Sequence, residues 1–299
     1  MDLTRPNLQA LFTGFQTAFM GGLRSVAGAD AYRTVAMVVN STHAAENYGW
    51  MKDLPGIREW VGPRVIHSLD TADYSIRNRA WELTIGIGRD KIEDDSYGIY
   101  TPFISELGQS GGRFPNKLVF ELLKAGFFTR CWDGQYFFDT DHPVTAADGS
   151  TMSVSNMQDG SGSPWFLMDL SRAVKPIVFQ SRKSFDFTRM DGDTDEVVFD
   201  RNEYRYGTAG RCNVGFGFWQ LAFGSKAPLD KDAYEDARTK MGLFTRDGGD
   251  PLDTSGTHLV CGPSNEGKAR AVLKAVTEAG GGSNVWAGSA ELVVVPWLG

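Results

Sequence analysis

The chain has 299 residues, 41% of them hydrophobic and 22% charged, with 35 glycines, 12 prolines and a formal net charge of −7. That composition excludes intrinsic disorder, and the acidic balance excludes a protein that coats DNA through a basic surface. No apolar run approaches the roughly 20 residues that cross a bilayer, and the start Met1-Asp2-Leu3-Thr4 has no basic n-region, so synthesis in the cytoplasm is expected.

In chain order, Leu8, Leu11, Phe12, Phe15 and Phe19 recur at spacings of three and four, which predicts a helix over Leu8–Met20 that ends at Gly21-Gly22. Packing of this helix on its own domain and docking of it on a neighbouring subunit are both open. Ala31–Val39 is a less regular apolar run. Arg64–Leu69 reads as a strand, Asp70–Asp73 as a turn, and Trp81, Leu83, Ile85 and Ile87 alternate with polar residues and glycine as a half-buried strand does. Together they predict a long hairpin with Arg77 and Arg79 near its middle and Trp50, Trp60 and Trp81 at its base. A lone two-stranded ribbon is marginal in water and needs a surface to lie on.

Residues 93–126 read as helix, opened by Asp94-Asp95-Ser96 and capped by Gly126, with a kink or break expected at Gly111-Gly112 and Pro115. Asp133-Gly134 marks a hairpin turn, and 146–163 is a polar loop. Strands are expected in Trp165–Phe187, Val197–Tyr206, Arg211–Phe223, His258–Cys261 and Glu291–Val295. Helices are expected at Asp230–Met241 and Lys268–Thr277. This is an α+β chain without regular β-α alternation.

Three motifs invite chemistry. Gly262-Pro263-Ser264-Asn265-Glu266-Gly267-Lys268 has the spacing of a phosphate-binding loop, but Ala269 replaces the metal-binding hydroxyl and Pro263 removes an amide, so it reads as a strand-to-helix turn with Ser264 as N-cap. Asp139, Asp141 and His142 resemble a ligand cluster without a second group to complete it, and read as a turn in which His142 bonds a carbonyl. The glycines of Gly215-Phe216-Gly217-Phe218-Trp219 mark close packing on a strand. Cys131, Cys212 and Cys261 form no CxxC and fit neither a disulfide framework nor a zinc site. No catalytic residue, cofactor-binding residue or metal ligand is assigned.

Several stretches taken together resemble the major head subunit (major capsid protein) of Mu-like bacteriophages, the gpT family: WDGQYFFDTDHP at 132–143, PWFLMDLSRAVKPIVFQSR at 164–182, NVGFGFWQLA at 213–222 and THLVCGPSNEGKARAVLKAV at 257–276. The resemblance implies a Hong Kong 97-type phage capsid fold. Residues 1–42 would be the N-terminal arm, 43–92 the E-loop hairpin and its base, 93–130 the P-domain spine helix, and 131–164 part of the A-domain or connecting loops. Residues 165–224 would be P-domain strands and 225–299 the A-domain. It implies no enzyme activity and no cofactor.

The function implied is self-assembly into hexamers and pentamers of an icosahedral head that encloses double-stranded DNA without sequence-specific contacts, with no membrane partner. Scaffold, maturation protease, portal and decoration proteins are the further partners, and the virion capsid is the location. Phe12, Phe15, Trp50, Trp60, Tyr74, Arg77, Arg79 and Trp81 are of types that centre protein interfaces and are the candidate inter-subunit contacts. Gly21-Gly22 and Gly111-Gly112 are candidate joints for a change in shell shape. A soluble nucleotide-binding enzyme built on 262–268, and a tail-tube or decoration protein, are the alternatives.

Overall fold

The structure is a computed structural model that describes residues 4–26, 30–49, 74–94, 98–277 and 281–299. Helix α1 (Arg5–Ser25) is followed by the short α2 (Ala31–Val35) and strands β1 (Ala36–Asn40), β2 (Ala45–Asn47), β3 (Ser75–Arg77) and β4 (Arg79–Gly88). One turn of helix, α3 (Arg89–Glu93), precedes the long α4 (Tyr100–Ala125). Strands β5 (His142–Thr145), β6 (Thr151–Val154), β7 (Met157–Gln158), β8 (Trp165–Met168) and β9 (Ile177–Met190) come next. Then follow α5 (Glu196–Arg201), β10 (Glu203–Phe216), β11 (Ala222–Ser225), α6 (Lys231–Gly242), β12 (His258–Cys261), α7 (Pro263–Lys274) and β13 (Glu291–Val294).

Two sheets organise the chain. One has the order β1-β9-β10-β4, with β1 parallel to β9 and the other pairs antiparallel. The other has the order β13-β12-β8-β11-β7. Its central strand, Trp165 to Met168, is fully buried and packs with α4, α6, α7 and the C-terminal turn in the largest core. A second core lies where α1 and α4 cover one face of the four-stranded sheet through Phe15, Phe19, Ile104, Leu107, Phe187 and Tyr206.

The α1–α4 contact uses glycine. A Cβ at Gly22 would overlap the carbonyl oxygen of Ser105, one at Gly108 that of Phe19, and one at Gly112 the side chain of Val26. The two backbones touch because nothing stands between them. Helix α1 therefore does not end at Gly21-Gly22 but runs through to Ser25, begun by Thr4, whose hydroxyl accepts from the Asn7 amide. Helix α4 is likewise unbroken for 26 residues, with Pro115 inside it. Neither glycine pair is a joint in this structure, because Gly22 and Gly112 are points of closest approach inside continuous helices.

Other expectations are corrected. Helix α4 starts at Tyr100, after the separate turn α3. The stretch Val197–Tyr206 is not one strand: α5 occupies its first half, buries Val197 and Val198, and ends at Asn202 in the left-handed region (φ 49°). The polar loop 146–163 contains β6 and β7, and helix α7 begins at Pro263, five residues ahead of Lys268. Residues 165–224 divide between the two sheets, since β8 and β11 pair with each other and not with β9 or β10. The strand expected at Arg64–Leu69 and the turn at Asp70–Asp73 lie outside the described residues. The other expected strand is β4, but it pairs along its length with β10. It is the edge of the chain's own sheet, so it has the support an isolated ribbon lacks.

Thermal unfolding tests the glycine contact. Gly108→Ala is expected to lower stability by about 1–3 kcal/mol, as overpacking of a tight contact does. Gly14→Ala and Gly21→Ala, at exposed helical positions where a Cβ meets nothing, are expected to raise it by about 0.5–1 kcal/mol.

Candidate assembly surface

Four of the candidate contact residues point into or against their own chain. Phe15 is 2% exposed and meets Tyr206 edge-on at 5.1 Å, so its ring is spent on the internal core and is not open to a neighbour. Phe12 is half-buried, stacked on Phe187 at 5.7 Å with the Arg189 guanidinium 4.2 Å above its ring. The Tyr74 hydroxyl accepts from the Phe216 amide at 2.7 Å, and burial pushes that phenol up to about 12. Trp81 donates its indole N–H to the Cys212 carbonyl and packs edge-on against Phe114 at 4.8 Å. Arg77 and Arg79 are exposed and make no ion pair with any described residue. Trp50 and Trp60 lie outside the described residues.

One large surface is left bare. Ile85 and Ile87 of β4, Tyr204 and Tyr206 of β10 and Phe187 of β9 all turn toward α1 and α4. The alternate positions, Glu82 and Thr84 of β4, Ala209 of β10, and Thr188 and Met190 of β9, are exposed on the other face. Small side chains keep that face flat: Gly86 leaves room for Glu203, and Gly207 sits against Thr84. No described element covers this β4 side of the face, whereas β3 with Tyr48, Phe218 and Leu221 covers its β1 side over Val178, Gln180 and Gly215. The whole chain exposes 15,763 Å², about a quarter more than the roughly 12,500 Å² of a compact globule of this size.

The motifs that invited chemistry resolve into structure. Gly262 is the N-cap of α7, in place of the expected Ser264, and Pro263 begins the helix at once, so no loop is left to wrap a phosphate. A Cβ on Gly262 would collide with the Leu298 carbonyl, because the C-terminal turn occupies that space. The Asp139 carboxylate caps the amides of Tyr136 and Thr140. His142 bonds no carbonyl; its Nδ1 lies 2.6 Å from Oδ2 of Asp133, and its ring stacks on Trp219 at 4.0 Å. The Cys131 thiol donates to Oδ1 of the same Asp133. Ligand atoms of Cys131, Asp133 and His142 thus lie within 4.8 Å of one another, but each already serves as another's hydrogen-bond partner, which makes a bonded turn.

The whole chain has close relatives among known proteins. The family of Mu-like prophage major head subunit gpT matches residues 8–298. The chain belongs to the Mu-like major head subunit family. It is 39% identical to the major capsid protein of Escherichia phage Mu over the full length of both, and 41% identical to the Mu-like prophage FluMu major head subunit of Haemophilus influenzae over 88% of this chain and 87% of that one. Among solved structures, the subunit of the procapsid of bacteriophage JBD30 superposes with a TM-score of 0.85 at 40% identity over 99% of this chain and all of that one. The JBD30 capsid subunit gives 0.78 at 29% identity over 90% and 91%. The fold of this head subunit is therefore the α+β, Hong Kong 97-type capsid fold.

Sequence reasoning missed Arg182 and Arg211, which strand pairing brings beside one another, and it missed Phe199, 85% exposed on α5. Only the pairing of distant segments reveals the first two.

The buried carboxylate gives a pH test. Burial alone would raise Asp133, but the hydrogen bond and charge of His142, with the Cys131 thiol and the Gln135 amide, outweigh it and hold its carboxyl below the ordinary value. A carboxylate depressed by folding contributes stability above its unfolded pKa of about 3.9 and loses it as pH falls through the folded value. Asp133→Asn is expected to lower stability by about 1–3 kcal/mol at pH 7. Denaturant unfolding should show the gap to wild type narrowing as pH drops from about 5 to about 3.

Proposed function

We propose that this head subunit assembles with copies of itself into hexamers and pentamers of an icosahedral shell that encloses double-stranded DNA. The observation that carries the reading is the match over 99% of the chain to the subunit of a procapsid. The open β4 side of the outer sheet face and the surplus of exposed area support it, since copies that surround one another cover what each leaves open. Heterologous contacts that close into rings suit such a surface.

On this reading α4 is the spine of a P-domain with α1 and the four-stranded sheet, and the five-stranded sheet with α6 and α7 forms the A-domain. Scaffold, maturation protease, portal and decoration proteins are its further partners, with synthesis in the host cytoplasm and residence in the virion. No helix among the described residues is long and apolar enough to cross a membrane. The chain acts by assembly and not as an enzyme.

Negative-stain microscopy of the overexpressed protein is expected to show closed shells of uniform size. Stacked rings or tubes would instead support a tail-tube role. Equilibrium dialysis with ATP is expected to show no Mg²⁺-dependent binding, and saturable binding lost in Lys268→Ala would restore the nucleotide-site reading.

A further inference from the structure

The four-stranded sheet carries basic residues midway along its two long strands and acidic ones at one end. Arg211, the ninth of the 14 residues of β10, pairs with Ala80 of β4, and the next pair, Cys212 with Arg79, faces the other side of the sheet, as Trp81 does. Arg211 in turn pairs with Lys183 of β9, and Cys212 with Ser181, so Arg182 is the extra residue of a bulge between them. With strands about 4.8 Å apart, Arg182 and Arg211 are neighbours, and Arg79 projects from the opposite face. None makes an ion pair with a described residue, although Lys183 does, with Asp186. Nη1 of Arg182 is buried and meets no hydrogen-bond partner, which is costly for a guanidinium and points to an absent acceptor.

At the acidic end, the connection from β9 through α5 to β10 places five carboxylates against one cation, Arg201, in residues 191–201. Asp191 is buried with Arg189, and Asp195 folds back onto the Gly192 amide. Asp193, Glu196 and Asp200 face outward, and the last two have no ion partner among the described residues. Between them Phe199 stands 85% exposed, an aromatic ring at the centre of an acidic knob. Its size and setting are those of an interface anchor.

We propose that the knob of one copy, Glu196, Phe199 and Asp200, docks against Arg182 and Arg211 of a second copy. The inference rests on the assembly reading and names its contact. A second copy is favoured over nucleic acid because Glu82 and Asp186, both paired with Ala209 two residues from Arg211, confine the basic surface to a spot too small to track a phosphate backbone but matched in number to Glu196 and Asp200. The contact is heterologous, so each copy offers one knob and one arginine pair.

Charge reversal tests it in the full-length chain, with shell yield read by sedimentation and folding by thermal unfolding. Arg182→Glu with Arg211→Glu is expected to cut shell yield at least about tenfold. Adding Glu196→Arg and Asp200→Arg to the same chain is expected to restore it. Phe199→Ser is expected to lower yield with thermal unfolding unchanged. Wild-type yield from the double variant overturns the proposal, as does a folded fourfold variant that fails to assemble. Intact shells of the double variant that have lost encapsidated nucleic acid also overturn it, by assigning the arginines to DNA. These outcomes leave the assembly reading standing. A wild-type chain that forms no shells removes both.

Discussion

The contact between α1 and α4 sets the layout of the molecule. Gly22, Gly108 and Gly112 let the two backbones meet directly, and the paired helices then lie as one layer on one face of the four-stranded sheet. A side chain at any of the three would push the layer apart and open the Phe15–Phe19–Phe187–Tyr206 cluster beneath it. Because both helices are committed to that face, neither is free to cover the other. The open β4 side of the outer face thus follows from how tightly the inner one is closed.

That arrangement relocates the reason why a single copy is incomplete. The apolar stripe of α1 is satisfied within its own chain, and β4 is tied to β10, so neither element is left hanging for want of a partner. What stays open is the β4 side of the outer sheet face, with arginines midway along the strands and an acidic, aromatic knob at the end. A surface of this kind stays hydrated in the free subunit and is suited to burial by further copies, whose charges it can orient.

Elements with a complete local signal were legible in the sequence. The alternation of Trp81 to Ile87, the Asp133-Gly134 turn, the Asp230 cap ahead of α6, whose carboxylate accepts from the Ala233 amide, and His258–Cys261 all stand where patterning places them. The glycines were ambiguous, because a residue without Cβ serves a break and a close approach equally well, and only the partner helix decides. Helix α5 was hidden by its brevity, since six residues with Val-Val-Phe at their centre carry no period that separates helix from strand. The arginine pair was invisible for a different reason: Arg182 and Arg211 are remote in the chain and become neighbours only through the pairing of β9 and β10. Asp133 and His142 were each noticed, but their bond to one another depends on the turn at Gly134 folding back toward β5.

Hydroxyl-radical footprinting of free subunits against purified shells tests most directly whether the outer face is completed by other copies. Met190 and Phe199, 45% and 85% exposed in the single chain, report on that face and its knob. Their oxidation rates should fall severalfold on assembly. Rates unchanged between the two states would mean that this surface meets solvent in the finished particle, and the account of an unfinished sheet would be wrong.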